Sequence, residues 1–565
     1  MSGAELVHTV RLGNLDYARV YANTAYRLAD AYVADRAQPG DVIVLDAAGE
    51  RYASELPFHA FTASDDAATV ALGLSELTHG QQRLWYLSYP NASPILRKYI
   101  AGQLAAGAEL VSQEKVGAVT VSLHRLPSGV TFQAPAQEFE ANFGGQLALV
   151  DHVLLTPRVA YPSQVRLVLR WKALSPVADD YTVFVNLVDQ AGHLRGTGGG
   201  GALLADGTFP PTSTWTPGDV VDTEISVSLE GGMPPGLYQL VVVVSKLDQS
   251  KRLIVLDAQG APAGIAYEVE EVEVLPASEQ PPLEALPIFH PLTQTWGTGL
   301  ELLGYNLASQ VDAGGTVTLG LFWRGQTRLH RDYELRLQLR AADGRAIWES
   351  APPLCSYPTS RWSPGEVFYI LYDLKIGVDV PAGQYRLVMA VLDPDGEPLA
   401  PGYFGLASLE VTSRTRRFDL PGAIQHPLNM RLGANGEVTL LGYDLPQTEV
   451  APGGVITLTL YWRCELPLDA SYTVFTHLLD PDELVRGQVD SPPQGGAAPT
   501  TTWLAGEIVV DEYRIPVDAD APAGGYRIEV GLYDPATIVR LPVFAADGSR
   551  LPDDRVLLET AIAVR

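Results

Sequence analysis

The 565-residue chain predicts a multidomain protein, a small three-layer α/β unit followed by three all-β sandwiches. Three observations predict it. The N-terminal stretch alternates helical patterns with buried-type strands. The remainder keeps a two-residue hydrophobic period, the mark of half-buried antiparallel strands. One aromatic pattern then occurs three times. A strand ends in Trp (Trp171, Trp323, Trp462), and a Tyr follows ten residues on (Tyr181, Tyr333, Tyr472). Next come a Pro-Thr-x-x-Trp-x-x-Gly-acid segment (Trp215, Trp362, Trp503) and a Pro-x-Gly-x-Tyr corner (Tyr238, Tyr385, Tyr526). The second Trp and the corner Tyr are 23 residues apart in every copy. Such a length exceeds what one hydrophobic core serves, and three repeats plus one unlike unit make four domains.

Residues 1–135 carry the α/β, Rossmann-like pattern. Tyr17, Val20, Tyr21, Thr24, Leu28, Ala31 and Tyr32 fall at helical spacing and predict a helix over Leu15–Ala37, stopped by Gln38-Pro39-Gly40. DVIVLDA is a buried-type strand. A second helix is expected over Ala53–Phe61, a strand near AATVALGL, and another at RLWYLSYP. A helix over Ile95–Ala106 and a closing hairpin, ELVSQEKV with AVTVSLHRL, complete the unit.

The repeats are placed at 137–275, 289–412 and 418–565. In the first Trp strand Val165, Leu167, Leu169 and Trp171 share one face, and Arg166, Val168 and Arg170 share the other. The same alternation puts Trp323 and Trp462 on core faces. A Pro-x-Gly-x-Tyr corner before an alternating strand resembles the tyrosine corner of immunoglobulin-like and fibronectin-like sandwiches, where a phenol ties a turn to the sheet. PASEQPPLEALP and SRTRRFDLPGA join the repeats and are short enough to limit swinging.

A formal charge of −27 is unevenly spread, with 10 basic and 13 acidic residues before residue 135 and 29 basic against 53 acidic beyond it. So acidic a surface repels phosphate backbones and excludes nucleic acid as a partner. Cys355 and Cys464 fall in different repeats, so two free thiols are expected. MSGAELVHTVRLG lacks the pattern of a secretory signal, and no apolar run reaches the ~20 residues of a transmembrane helix.

Several stretches suggest chemistry and have simpler explanations. Gly198–Gly201 lacks the Lys and Ser or Thr of a phosphate loop and is expected to be an interstrand loop. Asp393–Pro398 and Asp480–Glu483 lack spaced calcium ligands and are expected to be turns. His477 occupies the position of Asn186 and Gln338 and is expected to face solvent from a sheet. No metal ligand set, cofactor fingerprint or catalytic motif stands in a suitable context, so no catalytic residue is assigned. Carboxyl ends of strands in open α/β sheets bind ligands, which singles out Asp46 and Tyr89. Trp215, Trp362 and Trp503, on the approach to a strand, are the aromatics that could stack on sugar.

The order of the first unit is a Tyr-rich helix, PGDVIVLDA, ELPFHAF, QQRLWYLSYP, a helix and a hairpin. It resembles the extracytoplasmic C-terminal region of bacterial polytopic glycosyltransferases related to dolichyl-phosphate-mannose protein mannosyltransferases. LLGYDL at 440–445, YWR at 461–463, YTVFTHLLD at 472–480 and GLYDP at 531–535 are similar to sandwiches appended to some of them. The resemblance implies an extracytoplasmic or cell-envelope location, with glycan or a membrane glycosyltransferase as partner. It carries over no catalytic residue, because the membrane helices and the acidic loop of such enzymes are absent from this chain. The function expected is a non-catalytic accessory region that binds partners through its sandwiches. The alternatives are a free-standing adhesion or scaffolding protein whose first domain is the binder, and a sugar-transfer enzyme using the α/β domain.

Overall fold

A computed structural model describes residues 27–46, 56–134, 138–177, 179–200, 210–248, 251–297, 299–420 and 422–565. Among the described residues the regular structure is mostly strand, arranged in seven sheets. Six of these stack in pairs around three hydrophobic cores, which fits an immunoglobulin-like sandwich architecture.

The first sheet has five strands: β1 (Asp41–Leu45), β2 (Phe58–Ala60), β3 (Arg83–Ser88), β4 (Glu109–Val116) and β5 (Val119–Arg125). Their order is β2-β1-β3-β5-β4. β1 runs parallel to both β2 and β3, while β5 is antiparallel to β3 and β4. Helix α1 (residues 27–36) sends Ala29 and Val33 into one core cluster with Ile43, Trp85 and Val121. Helices α2 (Ala67–Leu77) and α3 (Pro94–Gly107) send Val70, Leu74, Leu96 and Ile100 into another, with Val42, Val44 and Leu84.

Two expectations for this unit fail. AATVALGL is helical, not a strand. The Asp66 carboxylate caps it by accepting from Thr69 N at 2.7 Å, and Val70, Ala71 and Leu74 bury one helical face. The helix expected over Ala53–Phe61 is a strand at Phe58–Ala60, held in parallel register against Ile43–Leu45, and residues 53–55 lie outside the described part. Of the helix expected over Leu15–Ala37, residues 15–26 likewise lie outside it.

Each sandwich follows one scheme. The Trp strand (Gln164–Ala173, Thr316–Gly325, Val455–Cys464) pairs with an earlier strand (Leu147–Leu154, Leu300–Asn306, Val438–Asp444) and with the strand after the second Trp. The corner strand (Gly236–Ser245, Gly383–Leu392, Gly524–Tyr533) pairs with the strand after the first Tyr and with a C-terminal strand. Trp171, Trp323 and Trp462 are fully buried between the sheets. Each corner phenol donates to the carbonyl four residues back, at 2.6 Å for Tyr238 to Pro234, 2.8 Å for Tyr385 to Pro381 and 2.7 Å for Tyr526 to Pro522.

The Gly-rich stretch departs from expectation. Leu194–Gly200 is a strand paired with Thr182–Val188, and residues 201–209 lie outside the described part. Close approach of backbones explains the composition, since a Cβ on Gly196 would stand 2.5 Å from Ser228 O and one on Gly198 would meet Ser226 O.

The units are joined by buried polar contacts. Arg170, on the outer face of the first Trp strand, is fully buried beneath the N-terminal unit. Its Nε donates to Asp222 at 2.7 Å, Nη1 to Asp65 O at 3.0 Å, and Nη2 to Ala63 O at 2.5 Å and to Ser93 Oγ at 3.2 Å. Arg195 Nη2 donates to Tyr369 O at 2.8 Å across the next junction. Arg416 pairs with the buried Glu507 at 2.8 Å across the third, where Ile508 N also donates to Arg417 O at 2.7 Å. Both connecting segments thus lie against the repeat that follows them, for Val367 N also donates to Gln280 Oε1 at 2.9 Å.

Candidate functional site

In the N-terminal unit β3 and β5 are buried on both faces, but one face of β5 is polar. Val119, Val121 and Leu123 pack on the α1 side, which leaves Thr120, Ser122 and His124 toward α3. Register sets Ser122 between Tyr86 on β3 and Gln113 on β4, and Thr120 between Ser88 and Lys115. The wall opposite is the α3 surface of Ala101, Leu104 and Ala105, and between wall and floor lies a cleft of about 520 Å³. Small residues on the helix create it, because alanines cannot reach a floor that leucines would cover.

The two strand-end residues singled out in the sequence meet here. Tyr89 N donates to Asp46 Oδ1 at 2.8 Å, and Asp46 Oδ2 accepts from Tyr86 Oη at 2.9 Å and from Ser88 Oγ at 2.6 Å. Arg97, from α3, stands 3.7 Å from the same carboxylate and donates to Ser88 Oγ at 3.0 Å and to Tyr89 O at 2.6 Å. Asp46 is 1% exposed and Tyr89 2% exposed, so Asp46 is a strut behind the cleft rather than a ligand contact. It holds Ser88 and Arg97, the groups that do line the opening. Burial and the Asp46 charge push the Tyr86 phenol well above its usual range, keeping it a donor.

Deeper in the floor, Ser122 Oγ and His124 Nε2 are hydrogen-bonded at 2.9 Å. His124 is 8% exposed and its Nδ1 has no partner among the described residues. Burial holds this imidazole below its usual pKa and therefore neutral near pH 7. The sequence signal for these residues was the Thr-x-Ser-x-His alternation in a strand whose other face is apolar, which periodicity alone counts as a solvent face.

Trp215, Trp362 and Trp503 do not form a sugar platform. They are 7%, 1% and 1% exposed and belong to the sandwich cores. The Thr and the acid of their segments make structural contacts in all three copies. The Thr hydroxyl accepts from the backbone N of the repeat's first Tyr, at 2.8, 3.1 and 2.9 Å for Thr212, Thr359 and Thr500. The acid at the end caps the turn, with Asp219, Glu366 and Glu507 accepting from Thr216, Ser363 and Leu504 N at 2.7, 2.6 and 3.0 Å.

His477 lies on the outer face of its sheet, opposite the core residues Val474 and Leu478, but is half-buried there and not free in solvent. It is clamped between Asp490 at 3.0 Å and Glu529 at 2.9 Å, and Glu529 also pairs with Arg540 at 3.1 Å and Arg555 at 2.7 Å. Burial lowers its pKa, but hydrogen bonds to the two carboxylates outweigh this and raise it to about 9. Cys355 and Cys464 are free and buried, and desolvation pushes their thiols up to about 12 and about 11. Asp393 and Asp480 make the expected turns, each accepting from backbone N–H groups two and four residues on.

Among the described residues one group could hold a metal ion: Glu140, Asp151 and His152. Its cation positions are filled by the protein itself, with Lys98 at 2.6 Å from Asp151 and His152 between Glu140 at 2.8 Å and Glu270 at 3.2 Å. Among the described residues no helix is long and apolar enough to cross a membrane.

No protein-family model and no curated protein matches the chain. Among solved structures it is similar to the C-terminal domain of wzt, at 15% identity and TM-score 0.19, over 25% of this chain and 91% of that one. It is also similar to a putative membrane anchored protein from Corynebacterium diphtheriae, at 11% identity and TM-score 0.14, over 74% and 91% of the two chains. A marsupial T cell receptor aligns at 12% identity and TM-score 0.14, over 72% and 99%.

Proposed function

We propose that the chain is a non-catalytic binding protein of the cell envelope, in which the N-terminal unit captures the ligand and the sandwiches carry it. The observation behind this reading is the cleft over β3 and β5, whose size suits a small polar ligand and whose floor presents converging hydroxyl, imidazole and guanidinium groups. A finer assignment of this unit as a three-layer α/β domain is supported by Ala29 and Val33 on one face of its sheet and α2 and α3 on the other. Burial of the three repeat indoles argues against sugar stacking at those positions and for a supporting role of the sandwiches.

Glycan-array binding tests the proposal. The full chain is expected to capture a subset of glycans, and Ala105→Trp, which fills the cleft from the exposed side of α3, is expected to abolish capture. Retained capture by that variant would place binding elsewhere and sink the reading. The sequence similarity of LLGYDL, YTVFTHLLD and GLYDP to glycosyltransferase-appended sandwiches supports a second reading, a role beside a membrane glycosyltransferase. Crosslinking in cells separates the two, since recovery of a polytopic transferase with the chain favours the second.

A further inference from the structure

We propose that the cleft takes a ligand bearing an oxyanion, phosphate or carboxylate, on a hydroxyl-rich body such as a sugar ring. The inference rests on the reading of the cleft as the binding site and adds the class of its ligand. Its first support is charge. Among the described residues the charged side chains lining the cleft are Arg97 and Lys115, with no carboxylate, in a chain with 66 acidic residues against 39 basic. Asp46 lies behind the wall with its oxygens occupied by Tyr86, Ser88 and Tyr89 N. The surrounding unit is close to neutral, with 10 basic and 13 acidic residues before residue 135, so the field that repels anions elsewhere is weak at this opening.

The donors are also placed for an oxyanion. Two Arg97 nitrogens are fixed on Ser88 Oγ and Tyr89 O, which orients the guanidinium, and Asp46 3.7 Å away offsets part of its charge. Lys115 is exposed on the edge strand β4, across from Thr120, and makes no ion pair among the described residues. An anion between these two cations gains charge-assisted hydrogen bonds.

The unpartnered His124 Nδ1 specifies the rest of the ligand. A buried ring nitrogen without a partner is costly until one arrives. Its role depends on the tautomer set by Ser122, donor in one and acceptor in the other, and a hydroxyl group satisfies either. The Ala101, Leu104 and Ala105 wall offers an apolar surface to the C–H face of a ring, and about 520 Å³ accommodates a monosaccharide with one charged substituent.

Isothermal titration calorimetry on the full chain tests this with four probes: glucose 1-phosphate, glucuronate, glucose and inorganic phosphate. At least one charged sugar is expected to bind saturably and more tightly than glucose or phosphate, and which of the two does so identifies the anion. Added salt is expected to weaken it. Lys115→Gln, an exposed edge-strand change, is expected to weaken it about tenfold, the loss of one charge-assisted hydrogen bond. Failure of both charged sugars to bind overturns the proposal, as does equal binding of glucose or an unchanged affinity in Lys115→Gln. If Ala105→Trp abolishes glucose binding while charge proves irrelevant, the cleft stands and only the anion falls. Should Ala105→Trp leave the charged sugar bound, the cleft itself is the wrong site and both readings fall.

Discussion

His477 shows how a residue type changes the behaviour of a shared position. Asn186 and Gln338 hold the same place in the other repeats, Asn186 accepting from Thr197 at 2.9 Å and Gln338 bonding Glu349 and Tyr403. Only the histidine titrates. Its folded pKa of about 9 lies above the unfolded value of about 6.5, so its contribution is complete below pH ~6.5 and is lost as pH rises through 9. Glu529 behaves oppositely. Burial raises its pKa, hydrogen bonds from His477 and Arg555 lower it to about 2, and its contribution is lost only as pH falls through that value. In urea unfolding, wild type is expected to exceed His477→Gln in stability at pH 6, with the gap closing toward pH 10. A gap that is constant with pH would show that the imidazole is neutral in the fold.

Among the elements, the Pro-Thr-x-x-Trp-x-x-Gly-acid segment is the most fully legible in sequence, because its Thr, Trp, Gly and acid each have a local task. The Gly takes a left-handed φ of 97°, 89° and 82° at Gly218, Gly365 and Gly506, and the Thr and acid bond nearby backbone. The Trp-strand core faces were legible for the same reason, since a period of two follows from the pleat alone. AATVALGL was not legible. Its apolar run is too short to separate a buried helix from a buried strand, and the deciding Asp66 cap lies just before it. Nor was the Gly-rich strand, because glycine there answers to another sheet far away in sequence. Gly196→Ala is expected to destabilise the first sandwich by about 1–3 kcal/mol, as overpacking does. Denaturant melts check this, and an unchanged midpoint would mean that the strand yields without cost. The cleft was half legible: the location rule found Asp46 and Tyr89, while the floor belonged to a strand whose polar face is covered only in three dimensions.

At the scale of the molecule, the junctions are polar and buried, and Arg170 is the clearest case. Replacing it with Met leaves Asp222 and two backbone carbonyls without their partner, a loss of about 3–5 kcal/mol by analogy with broken buried pairs. Arg170→Met is expected to release the N-terminal unit to limited proteolysis while the three sandwiches survive intact. Fragments cut within the first sandwich instead would show that the arginine supports its own sheet and not the join. Two of the groups that Arg170 grips are the main-chain oxygens of Ala63 and Asp65, which every residue type possesses. At Ala63 the side chain can therefore change without loosening this grip, whereas position 170, and Ser93 whose hydroxyl it also holds, have no such latitude.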